Sequence, residues 1–157
     1  MKNQKQKNPV NSFQKEITTT LLRCRKLIKS PETRQEAIQI LDGLDSSKMS
    51  PENKVLYLYV NGRYHYYMHK QYGDIEALEW SNDYLDDLAS YAYEHKIPLE
   101  LPMIYTRAYV KYQLANLVWD EDRKPWLLQK AKHITDHSLK FHPTNSSFLW
   151  LKSQLED

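Results

Sequence analysis

The chain has 157 residues, of which 12 are tyrosine and only 3 are glycine, and its 22 basic and 20 acidic residues give a net charge of +2. So few glycines argue against a sheet built on many tight hairpins and against a glycine-rich phosphate loop. The single cysteine, Cys24, excludes an internal disulfide and a cysteine-based zinc site. A hydrophobic share of 41% is enough for one folded core.

The cellular compartment is suggested by three features. The first ten residues are charged at their start but lack an apolar stretch behind it, so they do not match a secretory signal. The longest notable uncharged apolar run, Val55 to Gly62, is too short to span a membrane. A lone thiol fits a reducing compartment. We therefore expect a cytoplasmic protein that makes no membrane contact.

Charge is concentrated at the N-terminus. Residues 1–30 carry eight basic residues and one acid, a charge of +7, whereas the rest of the chain has a charge of −5. Such a segment can bind nucleic acid, with Arg23, Arg25 and Lys26 as the candidate contacts. The alternative is a flexible basic tail over residues 1–8 followed by the polar face of a helix. The lack of an arginine-rich run or interleaved aromatics favours this second interpretation.

The first helix is predicted from an apolar stripe that ends near Lys29. Its members recur every three or four residues, so they share one face and require a partner, either inside the chain or across a dimer. Second and third helices are predicted to begin at Ser30-Pro31-Glu32 and Ser50-Pro51-Glu52, because serine caps free N–H groups and proline tolerates the first turn. The stripe consists of Val10, Phe13, Ile17, Leu21, Cys24 and Ile28.

The third helix, about 51–70, has apolar groups around much of its circumference, which predicts a central position with neighbours on several sides. Gly62 in its interior costs roughly 1 kcal/mol relative to alanine. We expect close approach of another helix to offset that cost. Gly73 predicts a helix C-cap and a short turn.

The remaining pattern predicts four more helices: about 74–95, about 101–119, a sixth with Pro125 in its first turn, and a short final helix after residues 142–145. Short loops favour antiparallel neighbours, so the first six helices should form three pairs and the seventh should cover the end of the stack. The expected fold is an all-α single domain over residues 9–157, with an internal period of about 40–50 residues typical of helical repeats.

Two segments resemble the tetratricopeptide repeat family. Tyr66 to Leu78 resembles the middle of a repeat, where an aromatic-ended first helix meets a Gly-Asp turn and a second helix opens with an acid and an alanine. Ala131 to Pro143 follows the spacing of the second helix, although two of its four key positions differ in residue type. The resemblance covers residues 51–157, with helices longer than the family's unit. It implies a right-handed superhelix whose concave surface binds a peptide or protein segment.

Tyrosines crowd the third and fifth helices, which predicts a groove for a partner segment. Tyrosine offers apolar area with a polar tip and is enriched at interfaces. Arginine and lysine nearby would bind carboxylates. The alternative is that these tyrosines only pack between repeats. The predicted partner-binding residues are Tyr59, Arg63, Tyr66, Tyr105, Arg107, Tyr109, Lys111 and Tyr112.

No residue pattern points to a reaction. His65 with His69, and His133 with His137, have the four-residue spacing of helical metal ligands, and Glu76 or Asp136 could add a ligand, but no HExxH pattern is present. We therefore expect no catalytic residue, metal or cofactor, and we interpret the chain as a non-enzymatic adaptor or regulator that binds a protein or peptide. A nucleic-acid-binding protein is the alternative, and a metal-dependent enzyme is a more distant one.

Overall fold

The helix-forming segments and the proline, serine and glycine signals between them produce an all-α fold. A computed structural model describes residues 9–156, and the predicted basic tail, residues 1–8, lies outside them. These described residues contain no β-strand, as the sequence predicts. They form seven helices, α1 (Pro9–Leu27), α2 (Pro31–Asp42), α3 (Pro51–Tyr72), α4 (Ile75–Glu94), α5 (Leu101–Ala115), α6 (Arg123–Phe141) and α7 (Ser146–Leu155), with a short 3₁₀ turn at Ser46–Lys48.

The predicted helix starts are confirmed, but one predicted cap is wrong. The Ser50 hydroxyl accepts a hydrogen bond from the Asn53 backbone N–H at 3.3 Å, as expected of an N-cap. Ser30 makes no such bond. Instead, the Thr33 hydroxyl donates to the Leu27 carbonyl oxygen at 2.6 Å. This bond satisfies a free carbonyl at the end of α1 and does not cap the start of α2. The fifth helix also ends earlier than predicted, at Ala115.

The helices pack as predicted. α1 packs on α2, α3 on α4 and α5 on α6, while α7 closes the end of the stack against α6 and α5. α3 contacts α1, α2, α4 and α5, which confirms its central position. α3 and α5 run in the same direction, because Val55 shares a core cluster with Met103 and Tyr66, further along α3, meets Tyr109 further along α5.

Two glycines have the roles predicted for them. A Cβ added to Gly62 would lie 3.0 Å from the side chain of Leu85 on α4, and the Ser81 hydroxyl donates to the Gly62 carbonyl oxygen at 2.7 Å. The absence of a side chain at Gly62 therefore brings α3 and α4 together. Gly73 ends α3 with φ +70°, a conformation that favours glycine, and so aims the chain back into α4.

The core is continuous through α3. One cluster joins α3 to α4, α5 and α6 around Leu58, Leu85 and Leu114. A second joins α3 to α1 and α2 and contains Cys24, whose thiol pKa is raised by burial. Both clusters therefore pack against α3 and fix its rotation about its own axis, so the side chains that face neither cluster have a defined position.

Candidate functional site

Aromatic side chains from three helices meet beside α3. Arg63, Tyr66, Tyr67 and Lys70 follow one another at helical spacing and so share one face of α3. The Tyr66 and Tyr109 rings meet edge to face with their centroids 5.9 Å apart. On α5 the Tyr105 and Tyr109 rings stack at 5.8 Å, and on α7 the Trp150 ring lies 6.1 Å from that of Tyr109.

These residues enclose an open cleft of about 400 Å³. We call it the tyrosine groove. A second depression of about 310 Å³ continues from it toward the start of α5 and shares Arg63, Tyr105 and Thr106 with it. Together they form an extended surface rather than a closed pocket. The tyrosine groove is lined by Arg63, Tyr66, Tyr67, Lys70, Tyr105, Thr106, Tyr109 and Trp150.

Arg63 is the central cation of the groove. Its guanidinium lies over the rings of Tyr66 and Tyr67, at 5.4 and 4.8 Å from their centroids, and donates to the Tyr67 hydroxyl at 2.7 Å. Among the described residues no carboxylate lies within salt-bridge distance of Arg63 or Lys70. Since none of the lining residues is acidic, the groove has a positive charge and aromatic walls.

Two tyrosine hydroxyls of the groove, those of Tyr66 and Tyr105, have a raised pKa and so remain protonated at physiological pH. Burial raises the pKa of Tyr66 far above its ordinary value, and the neighbouring Tyr109 hydroxyl adds to the effect. Burial and the same neighbour also raise the pKa of Tyr105. Neutral hydroxyls can donate hydrogen bonds to carbonyl or carboxylate oxygens, so this wall complements an acceptor-rich ligand.

Two other predicted tyrosines lie beside the groove. Tyr59 is only 4% exposed and its ring is covered by the Arg25 guanidinium, 5.1 Å from the centroid. It contributes to the second depression rather than to the groove itself. The Tyr112 ring packs against Trp150 at 6.4 Å, and its hydroxyl faces Gln154 of α7 at 3.4 Å. Tyr112 therefore supports a wall of the groove, whereas Tyr59 belongs to the neighbouring depression.

The structure does not bring Arg107 and Lys111 to the groove. Both lie on the opposite side of α5 from Tyr105 and Tyr109, and their cations bind a carboxylate of this same chain. Arg107 Nε donates to Asp86 Oδ1 at 2.9 Å, and Lys111 Nζ donates to Asp86 Oδ2 at 2.9 Å.

Lys111 is almost fully buried beneath this network. It is 1% exposed and also donates to the side-chain oxygen of Asn82 at 2.9 Å. Burial lowers its pKa, while the hydrogen bond and charge of Asp86 act in the opposite direction. Lys111 thus stabilises the α4–α5 contact.

The predicted nucleic-acid contacts lie on α1 and are only partly available. Arg23 forms an ion pair with Glu36 at 2.6 Å, and Arg25 forms one with Glu100 at 3.4 Å in addition to covering Tyr59. Lys26 is exposed near the end of the helix. The three side chains therefore do not form one uncompensated basic patch.

The histidine pairs do not come together with acids as a metal site would require. Within the part of the chain that the structure describes, no group of three or more histidine, cysteine, aspartate or glutamate side chains is placed to hold a metal ion. His65 stacks on Tyr84 and Trp80 instead, with ring centroids 5.4 and 6.0 Å away. His69 Nδ1 bonds to the Asp74 carbonyl oxygen at 2.8 Å.

None of the helices in residues 9–156 has the length and apolarity needed to cross a membrane.

The structure adds four groove residues that were not predicted from the sequence: Tyr67, Lys70, Thr106 and Trp150. The first two complete the stripe begun by Arg63 and Tyr66, so helical spacing was a sufficient signal for them. Trp150 is in the groove because α7 packs on α5, a tertiary contact that no local spacing indicates.

Comparison of the chain with protein-family models, with curated proteins and with solved structures finds no match.

Proposed function

We propose that the chain is a non-enzymatic binding module that holds a peptide or protein segment in the tyrosine groove. The observation that carries the proposal is Arg63, a cation placed among aromatic rings with no carboxylate of the described residues to neutralise it. Arginine in such a setting binds a carboxylate strongly, because its donors match the geometry of the anion. Lys70 adds a second, exposed cation at the same edge.

The shape of the groove supports an extended ligand. It lies between parallel helices and continues past Tyr105 into the second depression, so a segment could cover several subsites. Tyr109 and Trp150 offer rigid aromatic surface, which orders at low entropic cost on binding. We therefore propose a segment with an acidic group next to an aromatic or aliphatic side chain.

The helix arrangement supports a tetratricopeptide-like stack as the finer description of the fold. Successive helix pairs pack side by side, the first helices of neighbouring pairs run parallel, and a glycine in the left-handed conformation joins α3 to α4. The proposed ligand surface lies on the first helices, α3 and α5, which correspond to the concave side of a right-handed superhelix of such repeats.

The proposal is tested by selecting ligands from a phage-displayed library of random peptides on the full chain. Acidic residues flanked by aromatic or aliphatic ones should be enriched among the recovered peptides. A recovered peptide should bind at least about tenfold more weakly to Tyr109→Ala and to Arg63→Gln, as measured by fluorescence anisotropy, since each removes about 1.4 kcal/mol or more.

Matched controls come from outside the groove. Tyr93 is 85% exposed on α4, so Tyr93→Ala removes an equivalent side chain, and Lys132→Gln removes an exposed cation from α6. Both should leave the affinity unchanged. Equal affinity for the wild type and for folded Tyr109→Ala and Arg63→Gln variants, or selection of peptides without acidic residues, would overturn the proposal.

A further inference from the structure

A second aromatic pocket lies at the turn between α3 and α4. It has a volume of about 210 Å³, and its walls include Tyr64, His65 and Tyr72 from α3 with Trp80 from α4. Asp74 and Glu76, at the start of α4, complete its rim. We call it the turn pocket.

The turn pocket and the tyrosine groove lie on opposite sides of α3. At 100° per residue, Arg63 and Tyr66 point to one side of the helix, whereas His65 and Tyr72 point roughly the other way. The two sites therefore differ in position and also in charge, since no lysine or arginine within residues 9–156 lines the turn pocket.

Part of the aromatic wall of the turn pocket, around His65 and Trp80, is held by ring stacking, and the wall remains open to a ligand. His65 stacks between Tyr84 and Trp80 with interplanar angles of 11° and 24°, and its edge meets Tyr64 at 5.0 Å. Trp80 nevertheless stays 51% exposed and Tyr72 67% exposed. Aromatic surface that is held in place yet left in contact with solvent suits a small apolar or cationic group.

The charges around the turn pocket favour a cation. Asp74 and Glu76 each carry a negative charge. The positive end of the α4 dipole nearby is equivalent to only about half a positive charge, so the carboxylates exceed it. Burial is the main cause of the raised pKa of Tyr64, and the charge of a third carboxylate, Asp42 on α2, adds to the effect. The guanidinium of Arg34, which donates to the Ile28 carbonyl oxygen and to Gln71, opposes that effect, so the preference for a cation depends on Asp74 and Glu76.

We infer that the turn pocket binds a quaternary ammonium group, with Trp80 and Tyr72 contacting its methyl groups and Asp74 and Glu76 balancing its charge. A quaternary ammonium needs no hydrogen-bond acceptors, and aromatic rings attract it through their negative faces. A primary ammonium gains most from hydrogen-bond acceptors for its three donors, whereas four aromatic rings, those of Tyr64, His65, Tyr72 and Trp80, line this pocket.

The source of the group is a small molecule such as choline. The pocket volume fits one headgroup and lies below the range of about 300–1,000 Å³ typical of sites for larger ligands. A peptide in the tyrosine groove would run along the opposite side of α3. The choice of a small molecule as the source rests on the proposed function of the tyrosine groove, whereas the preference for a quaternary ammonium group does not.

The test is an NMR titration of the full chain with choline, following the Trp80 indole N–H at constant ionic strength. We expect a saturable shift at Trp80 and none at Trp119, which is 98% exposed elsewhere. The neutral carbon isostere of choline should bind at least about fivefold more weakly, because it lacks the cation–π attraction. Isothermal titration calorimetry measures choline binding to the variants, because Trp80→Leu lacks the reporter indole. Trp80→Leu should weaken binding at least about fivefold and Glu76→Gln severalfold, while Trp119→Leu should have no effect.

Several results would overturn the inference. Equal binding of choline and its neutral isostere would show an apolar pocket without cation preference. No shift at Trp80 at any choline concentration would show that the turn pocket does not bind a quaternary ammonium group. A peptide carrying trimethyllysine that binds over tenfold more tightly than choline would overturn the small-molecule source while supporting the chemistry. Because Trp150 reports on the groove and Trp80 on the turn pocket, failure at one site is distinguishable from failure at the other.

Discussion

The ring of Tyr66 on α3 meets the ring of Tyr109 on α5 edge to face, with centroids 5.9 Å apart and planes at 70°. This contact joins the first helices of two successive pairs within the lining of the tyrosine groove. Since Tyr66 is partly buried by it, the contact both stabilises the stack and sets the spacing of the groove walls.

The Tyr66–Tyr109 contact should appear as a coupling in stability. We expect a double-mutant cycle with Tyr66→Ala and Tyr109→Ala to give an interaction free energy of about 0.5–1.5 kcal/mol, the range for edge-to-face aromatic pairs. Urea unfolding of the four proteins measures it. The same cycle with Tyr93→Ala in place of Tyr109→Ala should be additive, because Tyr93 is exposed on α4. A coupling near zero for the first cycle would show that the rings do not support one another.

Gly62→Ala should destabilise the fold by about 1 kcal/mol, because the strain of added volume in a packed core exceeds the gain in helix propensity. The new methyl group would lie 3.0 Å from Leu85, which is fully buried and cannot move away easily. Gly43→Ala is the matched control. Its backbone is right-handed, with φ −81°, and the nearest atom is 3.5 Å from the added carbon. That change should stabilise by about 0.4–1 kcal/mol. Thermal unfolding compares the two, and a stabilised Gly62→Ala would contradict the close α3–α4 contact.

Asp86→Ala should lower stability by about 3 kcal/mol, since it leaves the Lys111 cation buried without a counter-charge. Adding Lys111→Met to that variant should restore much of the loss, because an apolar side chain of similar length suits the site once the carboxylate is gone. Asp87→Ala, at an exposed position next along α4, should change stability by no more than about 0.5 kcal/mol. Equal effects of the Asp86 and Asp87 substitutions in denaturant unfolding would rule out the network as a source of stability.

His65 should make the fold less stable in mild acid. Burial lowers its pKa from 6.5, an effect that the charge of Asp42 partly opposes, so the unfolded chain binds the proton more tightly than the folded chain. Stability that is fully present above the unfolded pKa is therefore lost as the pH falls through 6.5 toward the lower folded value. We expect His65→Phe, which can keep the stacking on Tyr84, to lose less stability between about pH 7 and pH 5 than the wild type. His133→Phe, at an exposed site, is the control, and identical pH slopes for all three proteins would refute the expectation.

The helices, their pairing and the roles of Gly62 and Gly73 were predictable from three signals in the sequence: apolar spacing, proline at helix starts, and glycine inside a helix or at a helix end. Ser30 shows the limit of such signals, since its cap bond is absent while Thr33 closes α1 instead. Local residue preferences indicate where a helix begins, but the competing partners within a turn decide which hydrogen bond forms.

The site was partly predictable. Helical spacing alone puts Arg107 and Lys111 on the side of α5 away from Tyr105 and Tyr109, so their separation from the groove could have been read from the sequence. Their carboxylate partner, Asp86, lies more than twenty positions away on α4, and only tertiary packing reveals it. Trp150 enters the groove for the same reason, through the packing of α7 on α5.

The most direct measurement of the groove's function is an NMR titration with a peptide selected on the full chain, read at the indole N–H groups of the four tryptophans. Trp150 lies in the tyrosine groove, whereas Trp119 and Trp126 lie outside it. A saturable shift at Trp150, with Trp119 and Trp126 unmoved and with the shift lost in Arg63→Gln, is the expected result. A peptide that binds with the same affinity while leaving the Trp150 resonance in place would contradict the claim that this groove is the binding site.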